Sequence, residues 1–132
     1  MSINKQIVEP TWEGKYSFSP AVVTEGGRVA WLAGHVGFMD NDHQSLAGDF
    51  EAQVHQTFTN IKNTMEKVGG TLEDIVYMSV VVSDPRFSQV FTDIRKEYYP
   101  DKYPASTLVT VASFAHPDIM VEVTPIAVLP MS

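Results

Sequence analysis

The chain has 132 residues, 44% hydrophobic and 19% charged, with a net charge of −7 and no cysteine. That length implies one domain, 1–132, with its own core, and the missing cysteine excludes disulfides, thiolate metal sites and cysteine nucleophiles. The acidic balance and scattered bases argue against a nucleic-acid partner, whose phosphates demand a basic face, while the lack of a long apolar run or secretory-type leader predicts no membrane partner and a cytoplasmic location.

Residues 3–8 are expected to form a short strand. In PAVVTEGGRVAWLAG, strands near Ala21–Thr24 and Arg28–Ala33 flank Glu25-Gly26-Gly27, the pattern of a hairpin. GFMDNDHQSLAGD is a polar loop by composition. Phe50, Val54, Phe58, Ile61, Met65 and Val68 then recur at helical spacing, with Asp49 as N-cap and Gly69-Gly70 as the stop. The opposite face of this helix, with Gln53, Asn60, Lys62, Asn63 and Lys67, is expected to meet water.

DIVYMSVVVSD is apolar on both parities, as in a strand covered on both sides. Asp84-Pro85 opens a second helix, whose apolar positions are Phe87, Val90, Phe91, Ile94 and Tyr98. Two strands follow, at Thr107–Ala112 and Ile119–Val128. The order β-β-β-α-β-α-β-β gives an α+β fold with both helices on one face of a single mixed sheet. Its other face, too apolar for water, predicts association with further copies of the chain.

Glu122 stands within the apolar run IMVEVTPIAV. Alternation puts it on one side with Met120 and Thr124. Two readings compete: an acid on the wet side of an edge strand, which Pro125 also suggests, or a carboxylate held in a partly dry cleft for acid–base work. Of the histidines, His43 and His55 read as surface groups, whereas His35 and His116 stand where pockets form. No histidine pair has zinc spacing and the aspartates do not match a calcium loop, so no metal is expected.

The fragments FSPAVVTEGGRVAWLAGHVG, VGGTLEDIVYMSVVVSD, YPASTLV and IMVEVTPIAVLP, in this order, resemble the RidA (YjgF/YER057c) superfamily of enamine/imine deaminases. The resemblance implies a chorismate-mutase-like fold and a homotrimer whose active sites lie in clefts between subunits. It also implies hydrolysis of a small reactive imine or enamine to a 2-keto acid and ammonia, without cofactor or metal. In such proteins an arginine clamps the substrate carboxylate, a glutamate orients water, a turn glycine offers its backbone and a tyrosine closes the pocket.

Glu122 and Gly34 match the glutamate and the glycine. The remaining positions depart from the pattern: Ser106 stands in the arginine's place, Phe18 in the tyrosine's, Ala33 in that of a serine, and Leu108 in that of a cysteine. One neutral serine donor cannot replace a bidentate arginine, whose charged hydrogen bonds contribute roughly 1.5–3 kcal/mol each, so free 2-imino acids become poor substrate candidates. Arg95, Arg28 and His35 are the candidate replacements, although Arg95 is expected on the flank of its helix.

The reading carried forward is a RidA-like deaminase with Glu122 as its catalytic group. Gly34, Ser106 and His35 would hold polar atoms of the ligand, beside Ala33, and Phe18, Leu108 and Phe114 would form apolar walls. A less charged or larger substrate is implied, an aminomuconate-type intermediate being one variant. The alternatives are a non-catalytic binding or interaction module and a tautomerase. Endoribonuclease activity, ascribed to some relatives, is disfavoured by the charge.

Overall fold

The computed structural model describes residues 3–131. Its strands and helices follow the expected order: β1 (Asn4–Ile7), β2 (Val22–Glu25), β3 (Arg28–Trp31), α1 (Phe50–Lys67), β4 (Ile75–Val82), α2 (Ser88–Tyr98), β5 (Ala105–Thr110) and β6 (Val121–Leu129). A short 3₁₀ turn at Trp12–Tyr16 precedes β2.

α1 begins where Asp49 accepts the Ala52 N–H and ends before Gly69, whose φ of 82° suits a residue without Cβ. Phe50, Val54, Phe58, Ile61 and Met65 are buried as their spacing predicts, but Val68, 39% exposed, falls beyond the helix end. Gln53, expected in water, is fully buried. Its amide donates to the carbonyls of Leu46 and Asp118 and accepts the Met120 N–H, so it satisfies three backbone groups of two loops. α2 contributes Phe91 and Ile94 to the same core.

Two sheets replace the single sheet that was expected. β1 and β2 pair antiparallel as a separate ribbon, and the main sheet has the order β3-β6-β4-β5. The expected hairpin is thus a chain reversal only: Gly26 and Gly27, both at positive φ, turn the chain, but β2 pairs with β1 and β3 with β6. The main sheet is mixed, since β4 runs parallel to β5 and antiparallel to β6.

β6 is central, so the edge-strand reading of Pro125 does not hold. The proline is accommodated beside a bulge. Ile75 pairs with Ala127 and Tyr77 with Ile126, leaving Val76 as the extra residue on β4.

α1 and α2 cover one face of this sheet, where Met78, Val80, Val82, Val121 and Val123 are buried. Register puts Trp31, Ile126, Tyr77, Val81, Glu122 and Val109 on the other. Among the described residues nothing covers that face: Trp31 is 76% and Val109 47% exposed. β4 is therefore sealed on one side only.

Candidate functional site

Glu122 rises from the centre of the uncovered face, opposite Val81 in the β4–β6 register. Past the end of β3, His35 exchanges two backbone hydrogen bonds with Val123, at 2.7 and 3.0 Å, which draws the Ala33-Gly34-His35 segment alongside β6. The Gly34 backbone consequently lies against the carboxylate. A Cβ on Gly34 would collide with Glu122 Oε2, so the acid fills the space a side chain would need.

His35 itself is turned away from that acid. Its Nδ1 lies 2.7 Å from the Ala33 carbonyl and its Nε2 2.8 Å from Thr64 Oγ1 on α1. Because a carbonyl can only accept, Nδ1 carries a proton, and in the neutral ring Nε2 accepts the Thr64 hydroxyl. With both nitrogens engaged, His35 positions the Gly34 turn and is not the free pocket donor expected from the sequence.

The second cluster forms where α2, the Trp12–Tyr16 turn and β5 meet. Ser17, at φ 57°, donates its hydroxyl toward the Tyr16 and Thr92 carbonyls, each at 2.7 Å, and Ser19 donates to the Tyr103 carbonyl at 2.7 Å. These two anchors hold Phe18 over a cleft of about 340 Å³, lined also by Trp12, Arg95, Ser106 and Leu108.

Arg95 is 1% exposed, so the expected place on the helix flank is wrong. Its Nη1 donates to Ser106 Oγ at 2.7 Å, its Nε to Ser17 Oγ at 3.1 Å and its Nη2 to the Tyr16 carbonyl at 3.0 Å. The guanidinium carbon lies 5.1 Å from the centre of the Phe91 ring. Among the described residues, the arginine–carboxylate ion pair is Arg86–Asp84, so this buried cation has no carboxylate partner. Burial lowers its pKa to about 10, which leaves it charged at neutral pH.

The two clusters lie on opposite faces of the main sheet. Ser106 and Leu108 pair with Met78 and Val80, on the helix-covered side, whereas Glu122 pairs with Val81. Phe18, Ser106 and Leu108 come together in the cleft, and Ala33, Gly34 and His35 accompany Glu122. Phe114, half-buried between β5 and β6, joins neither. Arg28 donates to the Pro130 carbonyl at the end of β3 remote from Gly34 and does not line the cleft. His116 stacks on Phe38 at 4.4 Å and accepts the Asp118 N–H. No metal-holding group of three or more His, Asp or Glu residues occurs among the described residues, nor does any helix long and apolar enough to cross a membrane.

Trp12, Tyr16, Ser88, Gln89 and Thr92 line the cleft without having been named from the sequence, and Arg95, named there as a candidate replacement for the arginine, was expected on the helix flank. Arg95 was within reach, since Phe91, Ile94, Arg95 and Tyr98 form an i, i+3, i+4, i+7 stripe that includes it on the buried side. Trp12 lies in an irregular turn that carries no periodic signal.

The family model described as Endoribonuclease L-PSP matches residues 7–129. The fold is similar to that of YyfB, a Rid-family protein from Yersinia pestis, at 24% identity and a TM-score of 0.83, covering 96% of this chain and 99% of that one. RidA from an Antarctic Psychrobacter is 30% identical, with a TM-score of 0.72 over 86% of this chain and 89% of its own. Rv2704 from Mycobacterium tuberculosis, of the YjgF/YER057c/UK114 family, gives 22% identity and 0.68 over 96% and 100% of the two chains.

Proposed function

The chain belongs to the Rid/YjgF family, and from that premise we propose that it hydrolyses a small imine or enamine, with Glu122 handling the proton of the attacking water. The observation carrying this reading is the pairing of Glu122 with Gly34. A carboxylate stands on an otherwise mostly apolar sheet face, filling the space that a side chain on Gly34 would need. Water oxygen would bond to the carbon of C=N while Glu122 takes its proton. Return of that proton to nitrogen gives a carbinolamine, and transfer of its hydroxyl proton to nitrogen as the C–N bond breaks yields the carbonyl product and ammonia.

The uncovered sheet face supports assembly into a homotrimer, and the site would lie where protomers meet. There, Glu122 of one copy would face the Phe18–Ser106–Leu108 cleft of the next. Each protomer presents the two halves on opposite faces, so a shared site is the arrangement that uses both. An aminomuconate-type substrate remains one variant, since its flat conjugated chain could lie against the apolar walls while a carboxylate meets a polar group. The net charge of −7 weighs against ribonuclease activity despite the description of the family model.

Ammonia release from enzymatically generated 2-imino acids and from 2-aminomuconate tests the reading. Glu122→Gln keeps the shape and removes the base, and turnover should fall by about 10²–10⁴-fold. Unchanged turnover would overturn the role of the acid. The second reading is a ligand-binding protein without turnover, which Ser106 in place of the strand arginine favours. Such a protein would gain thermal stability with a ligand it never consumes.

A further inference from the structure

We infer that Arg95 and Ser106 together form a carboxylate-binding site for a small acid bearing an aromatic or similarly flat apolar tail. The positive charge in this cleft comes from the helix α2, where β5 offers only a serine. Three of the five guanidinium N–H groups are committed to Ser17, Ser106 and the Tyr16 carbonyl. Those partners are neutral, so they hold the group in place without balancing its charge. A buried cation without a counterion is costly, and a bound anion would relieve that cost.

Ser106 is the point of contact. Its Oγ accepts from Arg95 Nη1 at 2.7 Å, which leaves its own O–H to donate toward the cleft. The Ser17 hydroxyl, by contrast, is already spent on backbone carbonyls. An anion in the cleft would therefore meet a serine proton with a cation directly behind it, and Arg95, 1% exposed, acts through Ser106 as a positioning residue. The walls fix the rest of the ligand. Trp12 stands edge-on to Phe18 at 5.7 Å and to Tyr16 at 6.3 Å, and Leu108 adds an apolar lining group. A flat apolar group between these surfaces would bury itself while its carboxylate reached Ser106.

This deepens the functional reading, because it names the substrate class for the same cleft, but the binding is measured without turnover. Isothermal titration would compare phenylacetate with phenylacetamide, the same shape without the charge. Phenylacetate should bind at least tenfold more tightly. Ser106→Ala should reduce phenylacetate affinity about tenfold or more and leave phenylacetamide nearly unchanged. Arg95→Lys should keep part of the preference and Arg95→Met none, with circular dichroism confirming that each folds. Equal binding of acid and amide, absence of binding, or an unaffected Ser106→Ala would overturn the assignment. Loss of ammonia release in every assay, with the acid preference intact, would remove the deaminase reading and leave this one standing.

Discussion

The carboxylate of Glu122 occupies the volume that a side chain on Gly34 would fill. The constraint comes from that acid, since Gly34 is not among the glycines at positive φ. Gly34→Ala should therefore fold, because alanine can adopt the backbone, yet it must push the carboxylate aside. Turnover should drop at least tenfold, given how steeply rates depend on placement of a reacting group, while the melting temperature moves by only a few degrees. Differential scanning calorimetry beside the ammonia assay separates the two effects. A fully active alanine variant would show that the acid can work from elsewhere.

The exposed face carrying Trp31, Val81 and Val109 leads to a test of assembly. Val81→Lys puts a charge at its middle, directed away from the helices. Sedimentation of the unsubstituted chain should report an assembly of several copies, and the lysine variant should sediment as a single folded chain. A lysine variant of unaltered size would mean that copies meet through another surface.

Gln53 gives a stability prediction. Its replacement by alanine orphans the carbonyls of Leu46 and Asp118 and the Met120 N–H at once. Unpaired buried groups cost about 1–3 kcal/mol each, with partial rescue by water, so urea unfolding of Gln53→Ala should show a loss of about 2–4 kcal/mol. A change below the error of the method would mean that water enters freely.

Asp84 caps the turn before α2, and the side-chain hydrogen bonds from Arg86 lower its pKa to about 2. A folded-state value below the unfolded one stabilises the protein above the ordinary carboxylate range. That contribution declines as pH falls from about 4 through 2. Arg86→Ala should raise the Asp84 pKa toward its usual value in a carboxyl NMR titration. The stability difference between the two chains should shrink over that acid window, and a constant difference down to pH 2 would contradict this coupling.

The order of elements was legible because apolar periodicity and helix caps are local signals: Asp49 and Gly69 bound α1 as their chemistry dictates. Which strands pair is not local. Gly26-Gly27 announced a reversal, but whether its two arms bond depends on what β1 and β6 offer them. Polar residues misled in a consistent way. Gln53 and Arg95 were placed outside because of their type, whereas burial follows the availability of partners, here loop carbonyls and the hydroxyls of Ser17 and Ser106 distant in sequence. Glu122 was visible as an anomaly and Gly34 as its match, but their contact arises only through the His35–Val123 bonds.

Pro125 and the extra residue at Val76 also determine what the last strand can become. A flat, apolar ribbon could slide against its neighbours by one position, which would turn Val121 and Val123 outward and drive the acid beneath the helices. An imino acid in mid-sheet tolerates no such sliding, because its missing donor can be matched at one alignment alone. The orientation of the acid is thus guarded by two residues that take no part in any chemistry.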